Sequence, residues 1–343
     1  GLGDVYKRQE VLDASGQLVT DFTGIVNPTV KDSKVTVTCL KNSNKDDSPA
    51  FTFTDYPNTI FIGNDSVRNG KFSFTFTVPK DISYSNLQGK MNLYAVDTES
   101  GNEAQGNFDN FIVGGTSDTA ETDTIGPEIR ALYLNDTTFV DGGQVNTTPY
   151  FVAELWDKSG VNITGSSVGH DMMLVIDEST VLSYNLNSYY ELLLGEDGTG
   201  IVKFPIPALE PGKHTAEFWV WDILNNSTVR TFTFEVVEGL KPFLFDVIAT
   251  PGIAREQVTF HLMHNRPESR MRVGIMVYDL AGRQLWKHEE SGTSGLFENY
   301  TVSWDLTSGG ARMRPGVYIY RAAISTDNSK DATKARKFII LGE

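Results

Sequence analysis

The chain is poor in several kinds of residue, and each shortage removes a class of function. Cysteine occurs once in 343 residues, at Cys39. A lone thiol closes no internal disulfide, so the fold rests on packing, and no redox compartment follows from it. Long apolar runs are missing, and nothing approaches the ~18 consecutive apolar residues of a membrane-spanning helix. Basic residues are the minority, 29 against 44 acidic, for a net charge of −15. Such a chain repels phosphate backbones, which speaks against a nucleic-acid partner. Helical periodicity is absent beyond a turn or two. There is no phosphate-binding loop, no dinucleotide-binding glycine pattern and no metallopeptidase motif.

What remains is alternation. Residues 34–40 (KVTVTCL) place Val35, Val37 and Cys39 on one face, and residues 71–78 (KFSFTFTV) place Phe72, Phe74 and Phe76 on one face. Residues 91–96, 110–113, 149–155, 172–176, 201–206, 215–221 and 231–237 continue the pattern. So do residues 257–262, 271–279, 300–306, 316–325 and 335–341. Period-two alternation of β-branched and aromatic residues marks half-buried strands. Ser15-Gly16, Asn69-Gly70, Ser100-Gly101, residues 281–283 (AGR) and the long hairpin connection 308–316 (SGGARMRPG) supply turns. Short strands at this spacing predict an all-β chain of three consecutive antiparallel Ig-like sandwiches. The expected boundaries are 10–115, 128–238 and 243–343. A small, polar, acidic linker is expected over 116–127, and a shorter one over 238–242. Residues 1–9 (GLGDVYKRQ) neither alternate nor repeat, resemble no signal peptide, and are expected to be a non-native scar outside the fold.

Candidate chemistry is sparse. Cys39 sits on the apolar side of its expected strand, far in sequence from any histidine, and is expected to be a small buried hydrophobe rather than a nucleophile. His261 and His264 lie three apart on a strand, hence on opposite faces, which argues against zinc. His170 and Asp171 follow a glycine-containing loop. The expectation is a loop histidine bonded to its neighbours. His214 and His288 stand alone. Two aromatic strands end in Trp-Asp followed by a turn, at Trp156-Asp157 and Trp221-Asp222. Each aspartate is suited to accept from the turn amides behind it. Convergence of Asp157, Asp171 and Asp222 on calcium is a lesser alternative, since calcium needs six or more oxygens. The sequons at Asn64, Asn135, Asn146, Asn162, Asn225, Asn226 and Asn299 mark polar turns. The expected catalytic, cofactor and metal residues are therefore none.

The ordered set 273–283 (VGIMVYDLAGR), Ser303-Trp304-Asp305, 314–321 (RPGVYIYR) and 337–341 (KFIIL) resembles the flagellar-hook-cap-like Ig module and the C-terminal sorting domains of the Bacteroidetes type IX secretion system. Upstream, the series 69–82 (NGKFSFTFTVPKDI), 126–139 (GPEIRALYLNDTTF), 169–177 (GHDMMLVID) and 220–226 (VWDILNN) resembles the region after the peptidase domain in PorU-like type IX sortases. These are gingipain-type cysteine peptidases. The resemblance covers nearly all of residues 10–343. It implies a non-catalytic C-terminal region of a cell-surface, outer-membrane-associated peptidase. Its partners would be other outer-membrane components of the system and the sorting domains of cargo. The catalytic Cys and His of that family lie upstream of these modules, so none is carried over. Residues 248–253 (IATPGI) depart from the family's Asn-Pro-Asn-Pro-Phe-like pattern. The competing expectation is the tail of a secreted cargo or adhesin with a cleavable last module.

Overall fold

The computed structural model describes residues 4–40, 50–83, 85–115, 123–164, 169–193, 199–326 and 328–342. It is all-β. Among the described residues the one helical turn is the 3-10 segment Asn187–Tyr189, and no helix is long and apolar enough to cross a membrane. The chain forms two compact units. One comprises Gly1–Leu132, Val152–Phe204 and Thr215–Phe232, and the other Tyr133–Phe151, Pro205–His214 and Thr233–Glu343.

In the first unit, a sheet runs in the order Thr59–Ile62, Gly24–Lys31, Lys90–Asp97, Glu103–Phe108, with Asp65–Val67 also paired to Gly24–Lys31. Lys71–Thr77 turns Phe72, Phe74 and Phe76 inward against Val26, Val30, Ile60 and Met91. The alternation predicted that face correctly. Gly24–Lys31 contains Pro28, which cannot donate to a ladder. Its carbonyl accepts from Gly63, at the break between the two partner strands, so the missing N–H falls where pairing is already interrupted.

Three expectations need correction here. Asp4–Glu10 is a strand, paired antiparallel in register with Lys71–Thr77, so residues 4–9 do not stand outside the fold. Its register puts Lys7 opposite Phe74 and Gln9 opposite Phe72. Gln9 is a polar residue opposite a buried aromatic, so this strand carries no plain hydrophobic alternation. The expected strand at 110–113 is only an isolated bridge from Ile112 to Gln88, and the neighbour of Lys90–Asp97 is the polar Glu103–Phe108. Cys39 is exposed. Among the described residues Val35–Thr38 pairs with Thr52–Asp55 alone, in a two-stranded ribbon whose Phe51 and Phe53 are exposed and stacked on each other. The ribbon's apolar alternation does not translate into burial: Val35 and Val37 are half-buried and Phe53 is exposed.

Residues 128–236 supply two further sheets. One runs Glu128–Leu134, Tyr150–Trp156, Thr199–Pro205, Tyr190–Leu192. The other runs Gln144–Val145, Ser227–Val236, Gly212–Trp221, Met173–Ile176, Ser183–Asn185. The strands Tyr150–Trp156 and Gly212–Trp221 lie in different sheets, and each ends immediately before an aspartate.

In the second unit, a three-stranded sheet, Leu244–Thr250, Val258–His264, Tyr300–Trp304, faces a five-stranded one. The latter runs Ile253–Ala254, Ala332–Ile340, Gly316–Ser325, Met271–Tyr278, Gln284–Gly292. Phe260, Trp304, Tyr320 and Phe338 share their core. The buried Tyr320 hydroxyl donates to Val247 O at 3.0 Å, tying the two sheets together. The glycine-rich stretch 308–316 holds a small ribbon, Thr307–Ser308 with Ala311–Arg312. Its turn is Gly309-Gly310, both at positive φ (60° and 79°), a conformation that favours glycine.

Candidate functional site

Polar chemistry concentrates around the loops that follow Tyr150–Trp156 and Gly212–Trp221. Asp81, on the segment after Lys71–Thr77, reaches these loops from the first sandwich. It accepts from Asn225 Nδ2 (3.0 Å) and Asn162 Nδ2 (3.1 Å), and His170 Nδ1 donates to it at 2.7 Å. A carboxylate only accepts, so His170 carries its proton on Nδ1. The His170 ring packs on Trp221 with centroids 4.4 Å apart. Next to Asp81, Lys80 donates from its backbone to Ile223 O and from Nζ to Leu224 O. Asn64 Nδ2 donates to Leu192 O at 2.8 Å. Thus the expected loop histidine bonds an aspartate 89 residues away rather than a sequence neighbour.

A second cluster lies on the same loops. Asp157 Oδ1 accepts from the backbone of Ser159 (2.8 Å) and Gly160 (2.9 Å). Asp222 Oδ1 accepts from Leu224 and Asn226 backbone N–H groups, and its Oδ2 accepts from Asn226 Nδ2. Both aspartates play the turn role that their Trp-Asp context predicts. The fold then brings them together, with Asp123 as a third member. One carboxylate oxygen of each lies within 4.8 Å of the others. Asp123 accepts from Ser159 Oγ at 2.9 Å, while its backbone carbonyl accepts from Asn226 Nδ2. Asp171 is elsewhere, bonded by Asn187 Nδ2. Burial pushes the Asp157 carboxyl up to about 6, the nearby Asp222 and Asp123 charges adding to the rise. Burial also raises Asp222, whereas hydrogen bonds from Ile125 and Ser159 hold Asp123 low. Asp157 lines a cleft of about 530 Å³ with Phe61, Phe76, Val161 and Tyr190 among its walls. Asp123 lay in what sequence reasoning took for a solvated linker. Residues 116–122 of that linker are outside the described residues.

The other candidates stay apart. Among the described residues no side-chain partner reaches the Cys39 thiol, which projects from the exposed ribbon. His214 Nε2 contacts Glu210 O, and His288 Nε2 contacts Glu290 Oε2 at 2.9 Å. His264 accepts at Nδ1 from Arg266 N–H and therefore donates from Nε2 to Ser294 Oγ. Sequence reasoning missed Arg266. It is 1% exposed, donates to Leu240 O and Lys241 O of the second linker and to Asn265 O, and keeps Nε without a partner. Nothing in its local sequence marks it as buried.

Burial lowers the His264 imidazole to about 4, the Arg266 charge adding to the effect. The folded state then binds fewer protons than the unfolded state between about pH 6.5 and 4, so stability rises with pH across that window. The contribution is full above pH 6.5 and is lost as pH falls through about 4. Urea midpoints of the wild type and of His264→Gln, which cannot titrate, should therefore differ most at pH 7 and converge by pH 4. A constant gap would contradict a buried neutral His264.

No protein-family profile matches the chain, and no curated protein matches it. Among solved structures it is similar to dimeric latent PorU from Porphyromonas gingivalis, at 37% identity, over 99% of this chain and 32% of that one, with a TM-score of 0.40. The chain thus spans about a third of PorU's length. It is also similar to the Ig1-2 module of the Drosophila receptor tyrosine phosphatase DLAR, at 10% identity over 63% of this chain and 98% of that one, with a TM-score of 0.25. A tandem repeat from a large adhesion protein is 14% identical over 99% of this chain and 75% of that one, with a TM-score of 0.22.

Proposed function

We propose that this chain, PorU-like over its whole length, is the non-catalytic C-terminal part of a type IX secretion C-terminal signal peptidase. The observation that carries the reading is the 37% identity with PorU sustained over 99% of the chain. On this reading, residues 10–115 and 128–238 are spacer modules, and residues 243–343 are a hook-cap-like, sorting-type module that docks at the outer membrane. The complete protein works at the cell surface, where its cysteine peptidase domain removes sorting domains from cargo. Its partners are the other outer-membrane components of the system and those sorting domains.

The junction chemistry fits a spacer. Asp81, His170, Asn162 and Asn225 fasten the first sandwich to the second with hydrogen bonds, the one from Asn162 buried and the others half-buried, which a rigid arm requires and a flexible tether does not. The test is deletion of the codons for residues 243–343 from the complete gene. Cargo should then keep its sorting domain, and mass spectrometry of the surface fraction should find peptides spanning the uncleaved junction. Normal processing after the deletion would overturn the docking role. Mass spectrometry of the mature protein itself separates the cargo alternative, since a cargo tail loses the region after Pro242 and a sortase retains it.

A further inference from the structure

We infer that the outer face of the first sandwich binds a neutral carbohydrate, in a groove across the strands Gly24–Lys31, Lys90–Asp97 and Glu103–Phe108. The register sets two neighbouring rows of side chains across these strands. Asn27, Tyr94 and Gln105 form one row, and Thr29, Asn92 and Asn107 form the other. Alternation turns all six away from the core, since Val26, Val30, Met91 and Ala95 on the same strands point into it. They line a shallow groove of about 620 Å³. Three strands at ~4.8 Å spacing make a platform about 10 Å wide, the scale of one or two sugar rings.

The lining selects the ligand. Charged residues are 21% of the chain, yet none lines the groove. A phosphate, sulfate or carboxylate ligand would call for arginine or lysine there. Four of the six side chains are carboxamides, which both donate and accept and so meet a hydroxyl in either sense. Among the described residues, the amides of Asn92, Gln105 and Asn107 have no hydrogen-bond partner in the protein. Asn27 Nδ2 donates to Asn64 Oδ1, which leaves Asn27 Oδ1 to accept. Tyr94 is 41% exposed and its hydroxyl donates to Glu103, so the ring is held beside these amides as an apolar surface. A sugar presents both parts at once, hydroxyls for the amides and a face of C–H groups for the ring. A purely apolar ligand would bury the amides unpaired. The first sandwich thus carries a recognition surface of its own, beyond the spacer role, and the site does not depend on the peptidase reading.

A printed array of neutral, sialylated and sulfated glycans, probed with the full chain, should retain it on neutral glycans. Calorimetric titration with the neutral glycan that retains most protein should then give saturable binding. Tyr94→Ala and Asn92→Ala should each weaken that binding at least about tenfold. Both variants should melt as the wild type does, because both side chains are exposed. Lys90→Ala, two residues from Asn92 and outside the groove, should bind as the wild type does. Retention on no neutral glycan, retention on sulfated or sialylated glycans alone, or undiminished binding by both groove variants overturns the site. Capture on a peptide array in place of the glycans would assign the groove to a protein partner and overturn it as well.

Discussion

Phe260→Ala is expected to remove about 3–5 kcal/mol from the third sandwich, the range for truncating a large buried aromatic. Phe260 is 0% exposed and belongs to the three-stranded sheet. Its ring crosses to the opposite sheet, lying 4.9 Å from Tyr320 and 6.1 Å from Phe338, with Trp286 of the edge strand at 6.4 Å. Alanine would leave a void bounded by rigid rings that cannot collapse into it. The loss is a large share of the ~5–15 kcal/mol that holds a typical domain. Chemical denaturation should show a fall in midpoint with an unchanged slope, and Phe260→Leu should recover most of the difference. A loss below about 1 kcal/mol would mean that the ring is not at the centre of a packed core.

Asp81→Ala should cost about 1–3 kcal/mol, the effect of leaving a buried donor without its acceptor. The donors to Asp81 include Asn162, Asn225 and His170. Asn162 is nearly inaccessible, so its amide would be stranded, at about 1–3 kcal/mol for a buried unpaired group. Asp81→Asn retains one acceptor oxygen and should lose less. The Trp221 ring packs at a tilt against His170, so its fluorescence reports on this joint directly. Equal midpoints for Asp81→Ala and wild type would show that the network contributes nothing to holding the sandwiches together.

The strands were legible where one face meets a core. Residues 71–78 alternate because Phe72, Phe74 and Phe76 all bury, and residues 271–279 and 316–325 read cleanly for the same reason. Edge strands were not legible. Gln284–Gly292 pairs along Met271–Tyr278 yet carries Lys287, His288, Glu289 and Glu290, because its other edge meets water. Gly24–Lys31 was hidden by Pro28, whose tolerance depends on a gap in the neighbouring strands that only the assembled sheet reveals. At the candidate site, the turn roles of Asp157 and Asp222 followed from local sequence. Their meeting did not, since the two strands lie in different sheets. Asp171 was grouped with them by type and Asp123 left out by composition, and tertiary placement reversed both.

The strand Ala332–Ile340 lies inside its sheet, hydrogen-bonded along Gly316–Ser325 and, through Ile339 and Ile340, to Ile253 and Ala254. It also contributes Phe338 and Ile340 to the core. Ile253–Ala254, early in this sandwich, and Ala332–Ile340, late in it, must therefore meet before either is protected. A chain emerging from a ribosome or threading through a pore presents Leu244–Thr250 long before residues 332–340 arrive. Until then the five-stranded sheet lacks the strand that lies between Ile253–Ala254 and Gly316–Ser325, and this loop-closure demand slows folding. Completion of this sheet is thus timed by the arrival of Ala332–Ile340.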